Sequence, residues 1–404
     1  MPEARPSRRE VWITGVGLVS SLGEGPAAHL EALAAGRAPV TDAETFAPYV
    51  VHPLAKVSFD AQIPKRDQRQ MEAWQRIGTY AAGLALGAAG VAGKPDILAT
   101  VDMIVAAGGG ERDFDVDASI LNDLATSNDP GALLNTRLLS DIRPTLSLAQ
   151  LSNLLAGNIS IVHGVTGSSR TFMGEEASGV SAVDIAQARI AAGQSEIALV
   201  GGSYNAERED ILLFNDLDDL CMKGGFRSVF SQPAPGFAPG SMGAFLVLES
   251  PEHATARGAV PVARLAGIWS ERARRMIKGE AVPGAVESML TALLAAAKAE
   301  TADAILSCAT GAIGATAEEA AALAGLPVPV RAVANRLGHG VEAQFIAGLA
   351  LAALAVESGS LFPALAGDPV EAAHPAAPAG APVRIVVTSV GHWRGEGLGV
   401  VEKI

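Results

Sequence analysis

Along the chain, short apolar runs rich in β-branched residues alternate with alanine-rich stretches of helical length. The runs at 11–16, 103–107 and 197–201 have the length of strands, and the stretches at 73–92, 148–163 and 178–192 that of helices. Continuous apolar runs mark strands buried on both faces, so the pattern predicts an α/β protein whose sheet is covered by helices on two sides. Within 178–192, Val180, Val183, Ile185, Ala186 and Ile190 make a helix that is apolar on most sides and hence buried. The strand at 196–200 ends in Gly201-Gly202, where backbone must approach something closely.

Residues 222–243 are rich in Gly, Pro and Ser, a strand follows at 244–249, and 251–258 is polar and turn-forming. A division into two halves, 1–250 and 251–404, is therefore expected. The second half repeats the alternation: a strand from 260, helices near 285–299, 317–324 and 341–356, and strands at 304–307, 383–387 and 398–401. No internal repeat is legible residue by residue. The Ala/Pro stretch 369–382 reads as a surface connector.

Composition narrows the function. With 404 residues, 49% of them hydrophobic and 18% charged, the chain can bury one large core or two fused ones, which excludes disorder. A net charge of −13 excludes a nucleic-acid binder, which needs clustered Lys and Arg. Two cysteines, Cys221 and Cys308, and seven scattered histidines supply neither a disulfide framework nor a metal-ligand motif, so no metal and no cofactor are expected. Arg5, Arg8 and Arg9 before the apolar run at Val11 imitate a targeting segment, but that run breaks at Gly15 and Gly17. The longest apolar stretch, 346–356, is about half a bilayer span. A soluble, cytoplasmic protein is expected.

Several segments, in order, resemble the β-ketoacyl-acyl carrier protein synthases of the KAS II type. They are Ile13-Thr14-Gly15-Val16-Gly17, Asn153-Leu-Leu-Ala-Gly157, His163-Gly164-Val-Thr-Gly167, Gly236-Phe237, Leu246-Val-Leu-Glu249, Leu337-Gly338-His339 and the closing Val401-Glu-Lys-Ile404. The resemblance runs over essentially the whole chain. It implies a thiolase fold, with two similar αβα halves in a five-layered α-β-α-β-α arrangement, and a dimer. It also implies an active site in which a cysteine at a helix N-terminus takes an acyl group from an acyl carrier protein while two histidines assist decarboxylation of malonyl-carrier.

Most of those groups are replaced. Carried over without gaps, the nucleophile position falls on Glu176 in Gly174-Glu175-Glu176-Ala177-Ser178-Gly179, and the first histidine position falls on Cys308. His339 keeps the second histidine, whereas the family lysine and glutamate positions hold Ala334 and Gly348. The gate loop, which offers an oxyanion amide, has become Gly391-His392-Trp393-Arg394. A carboxylate attacking a thioester gives a mixed anhydride in place of a stable acyl-enzyme, and a thiol is a weak donor, so ordinary condensation is expected to fail.

Three readings of Glu176 stay open. It is a carboxylate stabilised at a helix N-terminus by up to ~2 kcal/mol. It is a buried carboxyl of raised pKa acting as acid or base with His339 on acyl- or malonyl-carrier thioesters. Or it sits in a pocket that binds acyl chains or carrier without reacting. The resemblance favours a role like that of chain-length factors, cysteine-less paralogues that form a heterodimer with a cysteine-bearing ketosynthase and shape its acyl tunnel. The chain is also similar to KAS II paralogues linked to very-long-chain acyl groups of lipid A. In the gate segment Gly108 lacks a side chain, so a wider tunnel is expected, with Phe172, Met173 and His392 lining or filling it. Lys65, Arg66 and Arg69 are the candidate contacts for an acidic carrier protein, with no membrane span involved.

Overall fold

A computed structural model describes residues 9–110, 113–142, 150–278 and 280–404. Its strands are β1 (Trp12–Ser20), β2 (Gly23–Glu24), β3 (Asp102–Ala106), β4 (Ser169–Phe172), β5 (Ile197–Tyr204), β6 (Met242–Glu249), β7 (Ala263–Glu271), β8 (Met276–Ile277), β9 (Glu280–Ala281), β10 (Ala304–Ser307), β11 (Val330–Ala332), β12 (Arg384–Val390) and β13 (Glu396–Glu402). One sheet runs β4-β3-β5-β6-β1 and continues β7-β13-β12-β10-β11, with β2 folded back on β1. The two series have the same order and the same directions. β1–β6 and β6–β5 are antiparallel and β5–β3–β4 parallel. β7–β13 and β13–β12 are antiparallel and β12–β10–β11 parallel. They join where Trp12 faces Arg264 and Ile13 faces Ala263 across β1 and β7.

Five layers result, as the resemblance implies. Helices Ala73–Ala88 and Leu154–His163 cover the outer face of the first series, where Ile77, Leu86, Leu155, Phe245 and Val247 share a core. Helices Ala285–Ala296 and Ala315–Leu323 cover the second series through Leu290, Leu323, Val330, Val386 and Leu398. Helices Glu175–Ala191 and Gln344–Ser358 lie between, where Val180, Val183, Phe345 and Leu349 pack with Leu246 and Val387. Gln344–Ser358 is apolar on nearly every side because it is enclosed, whereas Glu175–Ala191, expected to be apolar on most sides, buries one face and leaves Asp184, Gln187, Ala188 and Arg189 along an open depression.

Several expectations need correction. The helix expected at 341–356 opens as a 3-10 turn, Val341–Ala343, because Gly338 and Val341 take positive φ values of 76° and 42°. Turn and helix together, Val341–Ser358, are long and apolar enough to cross a bilayer by composition, more than the 346–356 run suggested. Yet 83% of that stretch is buried inside the protein, which is what a central layer demands of its helix. Residues 369–382 are not all connector: helix Pro369–Ala373 starts on Asp368, whose carboxylate accepts from Val370 and Glu371 N–H. Buried Glu371 is held by Asn335 and the Ala332 amide, which fixes the segment to β11. Residues 148–149 of the expected 148–163 helix lie outside the described residues, and the described helix begins at Leu154. The sequence pattern missed β4 and β11, a polar and a three-residue strand at the two sheet edges where pairing on one side only weakens the apolar signal.

Candidate functional site

Glu176 is positioned by a sharp turn. Gly174 has φ +124° and Glu175 φ +52°, and the helix Glu175–Ala191 begins at once, so Glu176 enters the first helical turn 1% exposed. A non-glycine residue in the left-handed region is disfavoured by about 1 kcal/mol, a cost carried here by Glu175. Arg394 Nε donates to the Glu175 carboxylate at 3.1 Å from the far side of the turn.

His339 reaches Glu176 from a segment far along the chain. Its backbone is pinned to the 238–240 segment by N–H to Ala238 O at 2.8 Å and by the Gly240 N–H on its own carbonyl at 2.9 Å. Its Nε2 then donates to Glu176 Oε1 at 2.8 Å, with both side chains fully buried. His392 Nδ1 donates to the same oxygen, also at 2.8 Å. Phe237 packs beside both imidazoles, with ring centroids 5.0 Å from His339 and 6.0 Å from His392.

The His392 loop is held, not loose. Arg275 Nη1 donates to the Gly391 carbonyl at 2.6 Å and to the His392 carbonyl at 3.2 Å, while its Nε and Nη2 grip buried Glu396 at 3.0 and 2.7 Å. A Cβ at Gly391 would fall 2.2 Å from the Arg394 carbonyl and 3.1 Å from Glu176 Oε2, so only glycine lets the loop close this tightly.

Burial pushes the Glu176 carboxyl toward its neutral form, but the two imidazole donors and their charge outweigh it and hold its pKa well below the usual carboxylate range. Of the three readings of Glu176, a carboxyl of raised pKa is the one this direction speaks against. Oε2 of Glu176 and Nδ1 of His339 are buried without hydrogen-bond partners among the described residues. One ligand atom each from Glu176, His339 and His392 lie within 4.8 Å of one another, a spacing that a divalent cation can bridge. Metal-bound imidazole normally passes its second N–H to an acceptor behind it, and His339 Nδ1 has none among the described residues, so the cluster reads as a hydrogen-bonded triad.

Cys308 does not join this triad. Its Sγ faces the Gln344 carbonyl at 3.6 Å, and a Cβ at Gly348 would come within 2.7 Å of it. Burial raises its pKa well above that of a free thiol, which leaves it a small core residue. The second imidazole at Glu176 thus comes from the 391–394 loop, a contact for His392 that no motif announced, since its partner is distant in sequence.

A cavity of about 260 Å³ adjoins the triad, lined among others by Trp74, Gly108, Tyr204, Phe237, Glu342 and His392. The space left at Gly108 is filled: Glu342, on the turn after His339, comes so close that a Cβ at 108 would lie 2.4 Å from its Oε1. Gly108 therefore exchanges one side chain for another and does not widen the passage. Burial, then the charges of Glu176 and Glu175, push the Glu342 carboxyl up to about 7, with its own backbone N–H and His392 acting in the other direction. Glu342 is the site residue that sequence reading missed; an acidic residue right after a Leu-Gly-His-Gly-Val run was the available signal.

Phe172 and Met173 lie apart from Gly108, along an open depression with Gly174, Ser178 and Arg394. Lys65 and Arg66 sit on the short helix Lys65–Gln68 and are engaged locally, Lys65 with Asp60 at 3.3 Å and Arg66 with Asp67 at 3.2 Å. Arg69 follows, exposed, and Trp74 a little further on reaches the cavity wall.

The family model of the β-ketoacyl synthase N-terminal domain matches residues 8–254. The chain is 25% identical over 271 residues to 3-oxoacyl-[acyl-carrier-protein] synthase 2 of Vibrio harveyi, which covers 65% of this chain and 62% of that protein. It thus spans about three fifths of the length of the curated relatives it matches. Among solved structures, the ishigamide ketosynthase/chain length factor superposes with a TM-score of 0.79 at 23% identity, over 98% of this chain and 100% of that one. A type II polyketide synthase acyl-carrier protein in complex with its ketosynthase, bound to the hexaketide, superposes with a TM-score of 0.76 at 19% identity, over 98% and 100%. At these identities the structural matches speak for the fold.

Proposed function

The chain belongs to the β-ketoacyl synthase family, and from that premise we propose that it is a non-condensing subunit. In this reading it pairs with a cysteine-bearing ketosynthase, as chain-length factors do, and shapes the space for an acyl chain delivered by an acyl carrier protein. One observation carries the reading: Glu176, which the resemblance aligns with the nucleophile, is a buried carboxylate tied by two imidazoles. Such a group neither forms a stable acyl-enzyme nor serves as an effective base, since catalysis by proton transfer wants a pKa near the working pH. Hydrolysis or decarboxylation through Glu176 and His339 is disfavoured on the same ground.

Other features support the assembly. The ishigamide structure pairs a ketosynthase with a chain length factor, and the polyketide complex places a carrier protein on its ketosynthase. β4 leaves one sheet edge unpaired, which suits a second subunit. Repetition of one strand order suits two thiolase-like halves, 1–250 and 251–404. Lys65, Arg66 and Arg69 are the proposed docking contacts, with steering by Arg69 least offset by nearby acids. Fatty-acyl or related chain assembly in the cytoplasm is the setting this implies.

Co-expression with each cysteine-bearing ketosynthase of the same genome, followed by size-exclusion chromatography with light scattering, tests the proposal. A one-to-one complex with one of them is expected. A strict homodimer or monomer in the presence of every paralogue overturns it.

A further inference from the structure

Most buried glutamates in the described part of this chain accept from two or more donors. Glu249 accepts from Thr14, His253 and Arg257, and Glu319 accepts from Ser307 and Thr388 on Oε1, its Oε2 having no partner among the described residues. Glu371 accepts from Asn335 and the amides of Ala332 and Leu365, and Glu396 from Arg275 and the Ala273 amide. Glu342 has fewer still. It is only 6% exposed, yet among the described residues its carboxyl takes nothing beyond its own backbone N–H. It also stands on the wall of the cavity, beside a glycine whose missing side chain makes room for it.

A buried polar group without a partner is disfavoured unless something else supplies the hydrogen bond. What supplies it must come from the cavity. The carboxylates of Glu175 and Glu176 are close enough to disfavour a further negative charge, and a neutral carboxylic acid offers one O–H donor and one carbonyl acceptor. That pair of functions matches a hydroxyl or carbonyl oxygen, and an all-methylene chain would leave both unmet.

We propose that Glu342 is a specificity-determining residue whose carboxyl hydrogen-bonds an oxygen substituent, hydroxyl or keto, on an acyl chain in this cavity. The protein then selects oxygenated acyl chains over saturated ones. The inference rests on the reading that acyl chains enter the cavity, and it does not depend on which ketosynthase is the partner.

The test measures dissociation constants of the full-length protein, and of its ketosynthase complex where one forms. The probes are octanoyl pantetheine, octanoyl pantetheines bearing a single hydroxyl or keto group at successive carbons, and one bearing a terminal amine. At least one oxygenated probe should bind about tenfold more tightly than the saturated chain. Glu342→Gln, which keeps a donor and an acceptor, should retain part of that preference, and Glu342→Leu should abolish or reverse it. Equal binding of all probes by the wild type, tightest binding of the amine, or an unchanged preference in Glu342→Leu overturns the inference. So does failure of every thioester to bind. Discrimination by the wild type needs no variant to fold, and co-elution with a ketosynthase reports on the partner reading separately.

Discussion

Glu176 and Glu342 are both buried and both follow residues with positive φ; Glu342 lines the cavity, and Glu176 stands behind it, bonded to the cavity residue His392. Glu176 has two imidazole donors on one oxygen and is held ionised. Glu342 has none from another described residue and is pushed up to about 7, in part by the charge on Glu176 itself. Burial alone therefore does not set the state of a carboxyl; the donors that the fold brings to it do. The first carboxyl has become part of the frame, and the second is left to meet a ligand.

Removing a donor from Glu176 should give the largest effect. His339→Ala leaves a buried carboxylate half-satisfied and opens space beside Phe237, so a loss of about 3–5 kcal/mol is expected from denaturant unfolding. A loss below about 1 kcal/mol would mean that the imidazole and the carboxylate are not coupled.

pH separates the two carboxyls next, with opposite signs. Glu342 keeps its proton in the folded protein up to about 7, whereas an unfolded glutamate releases it near 4.5. Its favourable state is thus complete below pH 4.5 and lost as pH rises to 7, so wild-type stability should fall relative to Glu342→Gln by about 3 kcal/mol across that window. Glu176 is depressed: its contribution is complete above 4.5 and is lost as pH falls below that value, so the wild type should lose stability relative to Glu176→Gln only on acidification. In Glu176→Gln the Glu342 window should also move to lower pH, because one of the two carboxylate charges that push it up is then gone. Coincident profiles for the two variants would erase the distinction.

The smallest expected effect is steric. Gly108→Ala places a Cβ against Glu342 Oε1, and an overpacking loss of about 1–2 kcal/mol should follow. In a Glu342→Ala background that loss should largely disappear, which a double-mutant cycle reads directly. Equal losses in both backgrounds would place the Gly108 constraint elsewhere.

Much of this was legible from the residues. The alternation of apolar runs and alanine-rich stretches anticipated the α/β layers, and the pattern at 178–192 anticipated the helix Glu175–Ala191, though not its half-open polar face. Glu176 and His339 could be marked as facing one another because both lie on segments that resemble a known site. Gly108 was marked too, but with the wrong consequence, since what fills its space comes from a turn distant in sequence.

The sequence by itself determined the period of each element, the burial of the central helices, and the absence of cysteine at residue 176, because these depend on residue type and near neighbours. The tertiary structure alone decided which groups meet. It gave Glu176 its second imidazole from His392, turned Cys308 into the core beside Gly348, and left Glu342 buried at a cavity without a donor from another described residue. Hydrogen bonds and charge interactions act over a few ångströms in space, and separations such as 176 to 392 carry no local signal that a pattern along the chain can report.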